Sequence, residues 1–293
     1  MVKSLKLISV FVSTILLFCS FTYKTTNLKM SAENYPRVDG STATIPLAIS
    51  LRSAITGESI EDLQLKTIHT KTTESFRALQ YGDADLLIVY TPSDSVLKEL
   101  KEAGVEIIME PIGRDALVLF TNESNRVNNL TQKQAQRIYT GQITNWKTVG
   151  GINSSILPFQ RDAESGSQVM MEKLVMEGKK MMTPKKDFMI FDMGEIIEKV
   201  SSYKNDRNAL GYSVYYYVRA FLNEDYKIKL LRANGVMPSN KTIKDGTYPY
   251  VQDFYAVIRA DEPEDSNARK LFNFLLSAEG KKLINDTGYV DLD

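Results

Sequence analysis

The chain has 293 residues, 43% apolar and 25% charged, with 36 basic side chains balanced by 36 acidic ones and a formal net charge of zero. That length suffices for two domains with separate cores, and the balanced charge excludes a protein that holds nucleic acid through a basic excess. A single cysteine, Cys19, rules out a disulfide framework, and a single histidine, His69, leaves no histidine-based metal site.

The N-terminus reads as an export signal. Lys3 and Lys6 precede an apolar run over 7–18 that is short for a membrane span, and an uncleaved anchor reaching Tyr23 is the alternative. Cys19 follows the run directly, where a lipoprotein signal places the residue that becomes lipidated; Leu16 fits that pattern and Phe18 departs from the small residue expected there. The expected layout is a leader over 1–19, a polar tether over 20–34, and a folded region held outside the cytoplasm at the membrane.

A strand is predicted at 36–39, then a small-residue loop over 40–45 and a helix opened by Pro46, whose missing N–H is not needed in a first turn. Leu47, Leu51, Ala54 and Ile55 make its apolar face, and Gly57 stops it. Thr72 or Thr73 caps the next predicted helix, which ends at Gly82. The unbroken apolar run over 84–90 reads as a buried parallel strand. A helix over 93–104, a strand over 105–110 and an apolar stretch over 113–122 follow. Thr131 with Gln134 forms a capping box for the next helix, Trp146 anchors the loop after it, and a strand is predicted over 156–160. Further strands are expected over 210–217, 227–233 and 247–260, with helices from 267 to 285. Helices alternating with apolar strands argue for an α/β fold with mainly parallel sheets.

The most informative stretch is PFQRDAESGSQVMMEKL, over 158–174. Ser165 and Gln168 have capping-box spacing, and Val169, Met170, Lys173 and Leu174 follow at helical intervals, so a helix is predicted to begin near Gly166. Its unpartnered first amides, the positive end of its dipole and the hydroxyls of Ser165 and Ser167 suit a small anion. Arg161 adds a planar, permanently charged fork that matches a tetrahedral oxyanion. On these residues alone, a capped surface helix preceded by a solvated arginine is an equal reading.

The segments FTNESNRVNNLTQKQAQRIYTGQITNWKTVGG, PFQRDAESGSQ, NALGYSVYYY, TYPYVQDFYAVI and FLLSAEGKKLINDTGYVDL occur in this order. From about Tyr35 to the C-terminus the chain resembles the substrate-binding component of phosphate ABC transporters. The resemblance implies a two-domain, type II periplasmic-binding-protein-like α/β fold, with a ligand cleft between domains joined by two crossing strands. Domain 1 would comprise 35–115 with 250–293, and domain 2 would comprise 116–249. The residues implied to bind ligand are Ser41, Thr42, Ala43, Thr44 and Ile45 in a first loop, Thr72 and Thr73 in a second, and Arg161, Ser165, Gly166 and Ser167 in a third. The implied function is capture of a tetrahedral oxyanion, inorganic phosphate, for an ABC importer by hinge closure. No bond would be made or broken, no cofactor or metal used, and the partners of a monomeric chain would be permease subunits.

Three departures bear on selectivity. The family's usual Gly-Ser before the second helix is absent, Val89 and Tyr90 replace polar residues at a strand end, and Ala163 stands where an acid is expected. Phosphate still carries a proton near neutral pH and benefits from an acceptor carboxylate, whereas sulfate needs donors only. Asp162 and Glu164 flank Ala163 and are the available substitutes. A sulfate-like or general oxyanion binder, acting as sensor or adhesin, is therefore the alternative. A more distant one is a serine penicillin-interacting enzyme built on Ser95 and Lys98, which fit S-x-x-K without the companion S-D-N and K-T-G motifs.

Overall fold

In a computed structural model the protein is described over residues 26–202, 207–222 and 225–292, so the expected leader and Cys19 lie outside the described residues. The chain forms two compact units: one runs to Arg114 and resumes at Asp253, and the other spans Asp115–Gln252.

The first stretch carries β1 (Val38–Gly40), a 3-10 turn over Thr42–Thr44, α1 (Ile45–Thr56), α2 (Ile60–Lys66), α3 (Thr72–Tyr81), β2 (Leu86–Tyr90) and α4 (Asp94–Glu102). β3 (Ile107–Asn122) then passes from unit 1 into unit 2. Unit 2 contains β4 (Asn129–Leu130), α5 (Gln132–Tyr139), β5 (Leu157–Pro158), β6 (Gln160–Arg161) and α6 (Gly166–Met170), which continues as a π-helical stretch over Met171–Met176. There follow β7 (Met189–Ile190), α7 (Met193–Ser201), β8 (Ala209–Val214), α8 (Tyr215–Arg219), β9 (Ile228–Leu230), β10 (Arg232–Ala233) and α9 (Asn240–Lys244). β11 (Val251–Arg259) returns the chain to unit 1, where α10 (Asn267–Leu276) and α11 (Ala278–Asp286) complete it.

In unit 1, β1 pairs parallel with β2 and β2 antiparallel with β11, all five residues of β2 being buried. Phe76 and Leu79 of α3, Leu87 and Val89 of β2, Val96 and Leu100 of α4 and Val257 of β11 form one core cluster. β1 approaches β2 so closely at its end that a Cβ on Gly40 would sit 1.9 Å from the Ile88 carbonyl oxygen, which makes glycine obligatory there. Gly57 ends α1 in the left-handed region at φ 78, and Pro46 lies in its first turn. Residues 26–34, expected as tether, are instead tied to this unit: Asn27 N–H donates to Glu279, Lys29 Nζ to the Ala54 carbonyl and Met30 N–H to the Ile55 carbonyl.

In unit 2, β3 lies antiparallel to β8 and β9, and β5 parallel to β8. Among the described strand pairs, the expected parallel pairing is met at β1–β2, β5–β8 and the short pairs β6–β7 and β4–β10. β3 and β11 arrive from the other unit rather than through a βαβ crossover, so handed parallel pairing does not apply to them. The strands expected over 105–110 and 113–122 are one 16-residue strand. The strand expected over 210–217 ends at Val214, and Tyr215–Arg219 are helical, with Tyr216 and Tyr217 buried. Trp146 is fully buried and its Nε1 donates to the Asn208 carbonyl at 3.1 Å, the anchoring role read from its loop. The Thr131–Gln134 capping box is formed in both directions.

Candidate functional site

Unit 2 places Arg161 on β6, where pairing with β7 sets it opposite Ile190. Its side chain is 3% exposed, and its Nε donates to the Ile190 carbonyl at 3.2 Å. Nη1 is buried without any hydrogen-bond partner. A guanidinium so placed is costly, because burial disfavours its charge; burial accordingly pulls its pKa below the usual value, opposed by Asp162, Tyr212 and Asp192. A buried cation with a donor left over can hydrogen-bond an anion.

The helix start follows four residues later, but not as its spacing predicts. Ser165 sits at the N-cap without a side-chain capping bond, and its hydroxyl pairs with that of Ser167 at 2.9 Å. Gln168, the expected capping-box partner, turns to the buried Tyr212, whose hydroxyl donates to Gln168 Oε1. The capping box is thus replaced by a tertiary contact, and both serine hydroxyls stay at the first turn. Gly166 and Ser167 are buried there, and the leading amides of a helix have no intrahelical acceptors. Of the candidate proton acceptors, Asp162 is buried, with Oδ1 accepting the Glu164 N–H at 3.2 Å, while Ala163 is exposed.

Unit 1 gathers a second set of hydroxyls. Ser41 and Thr72 share a hydrogen bond between their hydroxyls at 2.8 Å, and Tyr90 N–H donates to Ser41 Oγ at 3.1 Å. Thr44 is committed to the backbone: its hydroxyl bonds the Ile88 carbonyl at 2.6 Å and the Ser41 carbonyl at 2.8 Å. Ala43 and Ile45 are buried, the Ala43 carbonyl accepting from the Tyr289 hydroxyl at 2.5 Å, and Thr42 is half-buried. Thr72 and Thr73 are the first residues of α3 rather than caps, because Lys71 holds the N-cap, at φ 85 and ψ 169 and without a side-chain capping bond. Thr73 Oγ1 is buried and unpartnered.

Several participants carry no local signature. Tyr212 lies 51 positions from Arg161, whose N–H donates to the Tyr212 hydroxyl at 2.9 Å. Asp192, whose charge acts on Arg161, caps α7 through the Gly194 N–H at 2.7 Å and the Glu195 N–H at 3.3 Å. In unit 1, His69 Nδ1 bonds the Ser41 carbonyl at 2.8 Å, leaving its Nε2 buried and unpartnered. Burial lowers the His69 pKa and favours the neutral ring. Of these residues, Tyr212 lies in NALGYSVYYY, one of the segments that carry the family resemblance.

The S-x-x-K pair sits on an exposed helix face. Ser95 shares a hydrogen bond with the Ser93 hydroxyl at 2.9 Å, and Lys98 pairs with Glu102 at 3.5 Å. Among the described residues, no group of three or more His, Cys, Asp or Glu side chains is placed to hold a metal ion, and no helix is long and apolar enough to cross a membrane.

Comparison with known proteins adds a third line of observation. The profile of the PBP superfamily domain matches residues 29–279. The phosphate-binding protein PstS of Staphylococcus haemolyticus is 25% identical over 224 residues, covering 75% of this chain and 69% of that protein. Its counterpart from Borreliella burgdorferi is 22% identical, covering 70% of this chain and 72% of the relative. A Clostridium perfringens structure with bound phosphate superposes with a TM-score of 0.70 at 21% identity, covering 89% of this chain and 100% of that one. An ABC-type phosphate transport receptor from Vibrio cholerae gives a TM-score of 0.65 at 23% identity, covering 87% and 99%.

Proposed function

The chain belongs to the PBP superfamily, and on that premise we propose that it captures a tetrahedral oxyanion, inorganic phosphate, outside the cytoplasm and delivers it to an ABC importer. The observation that carries this reading is Arg161, a buried guanidinium with an unpartnered Nη1 beside a helix start lined by Ser165 and Ser167. The Staphylococcus haemolyticus and Borreliella burgdorferi relatives are phosphate-binding proteins by name and the Clostridium perfringens structure holds phosphate, which supports phosphate as the anion. Within unit 1, Ser41, Thr72 and Thr73 gather a separate set of hydroxyls, and within unit 2 Asp162 is the acceptor for a proton that phosphate still carries. The chain works as a binding protein and not an enzyme, as a monomer held at the membrane through Cys19, with permease subunits as partners.

Equilibrium dialysis of phosphate-stripped protein against labelled phosphate, with sulfate as competitor, tests the proposal. One phosphate per chain, resistant to excess sulfate, is the expected result. Equal displacement by sulfate would make the site a general oxyanion trap, and no retained phosphate would remove the proposed function.

A further inference from the structure

We infer that Tyr212 is a positioning residue for the oxyanion group of unit 2, its hydroxyl holding the Arg161 backbone and the first turn of α6 in one register. The inference rests on the reading of Arg161 as an anion ligand. Tyr212 stands on β8, opposite Leu119 of β3, and is fully buried. Its hydroxyl has one proton and two directions of use. Arg161 N–H can only donate, so the bond at 2.9 Å makes the hydroxyl an acceptor there and leaves its proton for Gln168 Oε1. The orientation of the Gln168 amide is set from its other side, because Nε2 donates to Glu172 Oε1 at 2.7 Å and to the Met181 sulfur at 3.5 Å.

The Tyr212 ring has little freedom. Tyr139 packs edge-on at 5.5 Å, and a Cβ on the preceding Gly211 would lie 2.8 Å from Val200 and 2.9 Å from Phe120. Burial raises the pKa of the phenol, so it stays a neutral donor. β6 is only two residues long, and its pairing with β7 leaves the Arg161 N–H on the far side from Ile190, where Tyr212 takes it up. That hydroxyl ties the Arg161 backbone to Gln168 in the first turn of α6, a link the short intervening loop does not itself make.

The test is calorimetric titration of the protein with phosphate for wild type, Tyr212→Phe, Arg161→Lys and the double variant. Tyr212→Phe is expected to weaken phosphate binding about tenfold, as loss of a buried, two-way hydrogen bond implies. In the Arg161→Lys background the same change should add less than about threefold, because the geometry it protects is already lost. Unchanged affinity in Tyr212→Phe, or an equal factor in both backgrounds, overturns the positioning role. Wild-type affinity in Arg161→Lys and in Arg161→Ala would instead overturn the reading on which it rests. If Tyr212→Phe does not fold, Gln168→Leu decides: it keeps the Arg161 contact and cuts the link to the helix, and unchanged phosphate affinity there also overturns the inference.

Discussion

Replacing Arg161 by alanine separates a ligand from a structural arginine, because the two roles predict opposite balances of affinity and stability. Hydrogen bonds from a charged donor contribute about 1.5–3 kcal/mol, so losing one bond to the anion should weaken phosphate binding roughly ten- to more than a hundredfold. The Arg161 guanidinium is buried at 3% exposure with Nη1 unpartnered by any protein group, and burial pulls its pKa down, so unless an anion is bound its charge opposes folding. Removing it relieves that penalty while giving up the Nε bond to Ile190. The ligand-free variant should therefore lie within about 1 kcal/mol of wild type, whereas removing one partner of a satisfied buried ion pair costs about 3–5 kcal/mol. Thermal unfolding with and without phosphate reads both quantities. At a hundred times its dissociation constant, phosphate should stabilise wild type by about 2.7 kcal/mol, and the variant at the same concentration by much less. A variant that loses several kcal/mol without ligand yet keeps its phosphate response would refute the reasoning.

His69 and Lys71 offer two further checks, both in unit 1. The fold favours neutral His69, so the unfolded chain binds the extra proton, and stability should fall as pH drops below the ordinary histidine value of 6.5. The slope is at most about 1.4 kcal/mol per pH unit. Urea unfolding of wild type and His69→Gln from about pH 7 to 5.5 should show the slope in wild type alone; parallel curves would mean that His69 does not report. Lys71, at φ 85 and ψ 169, occupies a region populated almost only by glycine, a strain of about 1–3 kcal/mol. Set against the roughly 0.5–1 kcal/mol of added chain entropy, Lys71→Gly should stabilise by up to about 2.5 kcal/mol, and a loss of stability on denaturant unfolding would contradict the strained geometry.

What was legible in the sequence was what local physics decides. The apolar run ending at Tyr90 became a buried strand, Pro46 and Gly57 bracket α1, and the Thr131 box formed, because each rests on neighbours within a few residues. The failures share one cause, a distant partner outbidding a near one. Gln168 had the spacing to cap its own helix but found the Tyr212 hydroxyl, 44 positions away, and Ser165 was left to pair with Ser167. Tyr215 to Tyr217 have the aromatic character of a strand, yet burial of Tyr216 and Tyr217 is achieved on a helical turn. Arg161 could be nominated from its motif, but its burial, its Ile190 contact and the charge of Asp192 come from residues far along the chain. Lys71 shows the converse case, since nothing in a lysine announces a positive φ.

The most direct measurement is a crystal structure of the protein grown with phosphate. The account predicts a phosphate oxygen about 2.7–2.9 Å from Arg161 Nη1, with further oxygens on the donors at Ser165, Gly166 and Ser167. Phosphate bound elsewhere, with Arg161 Nη1 still unpartnered, would contradict it.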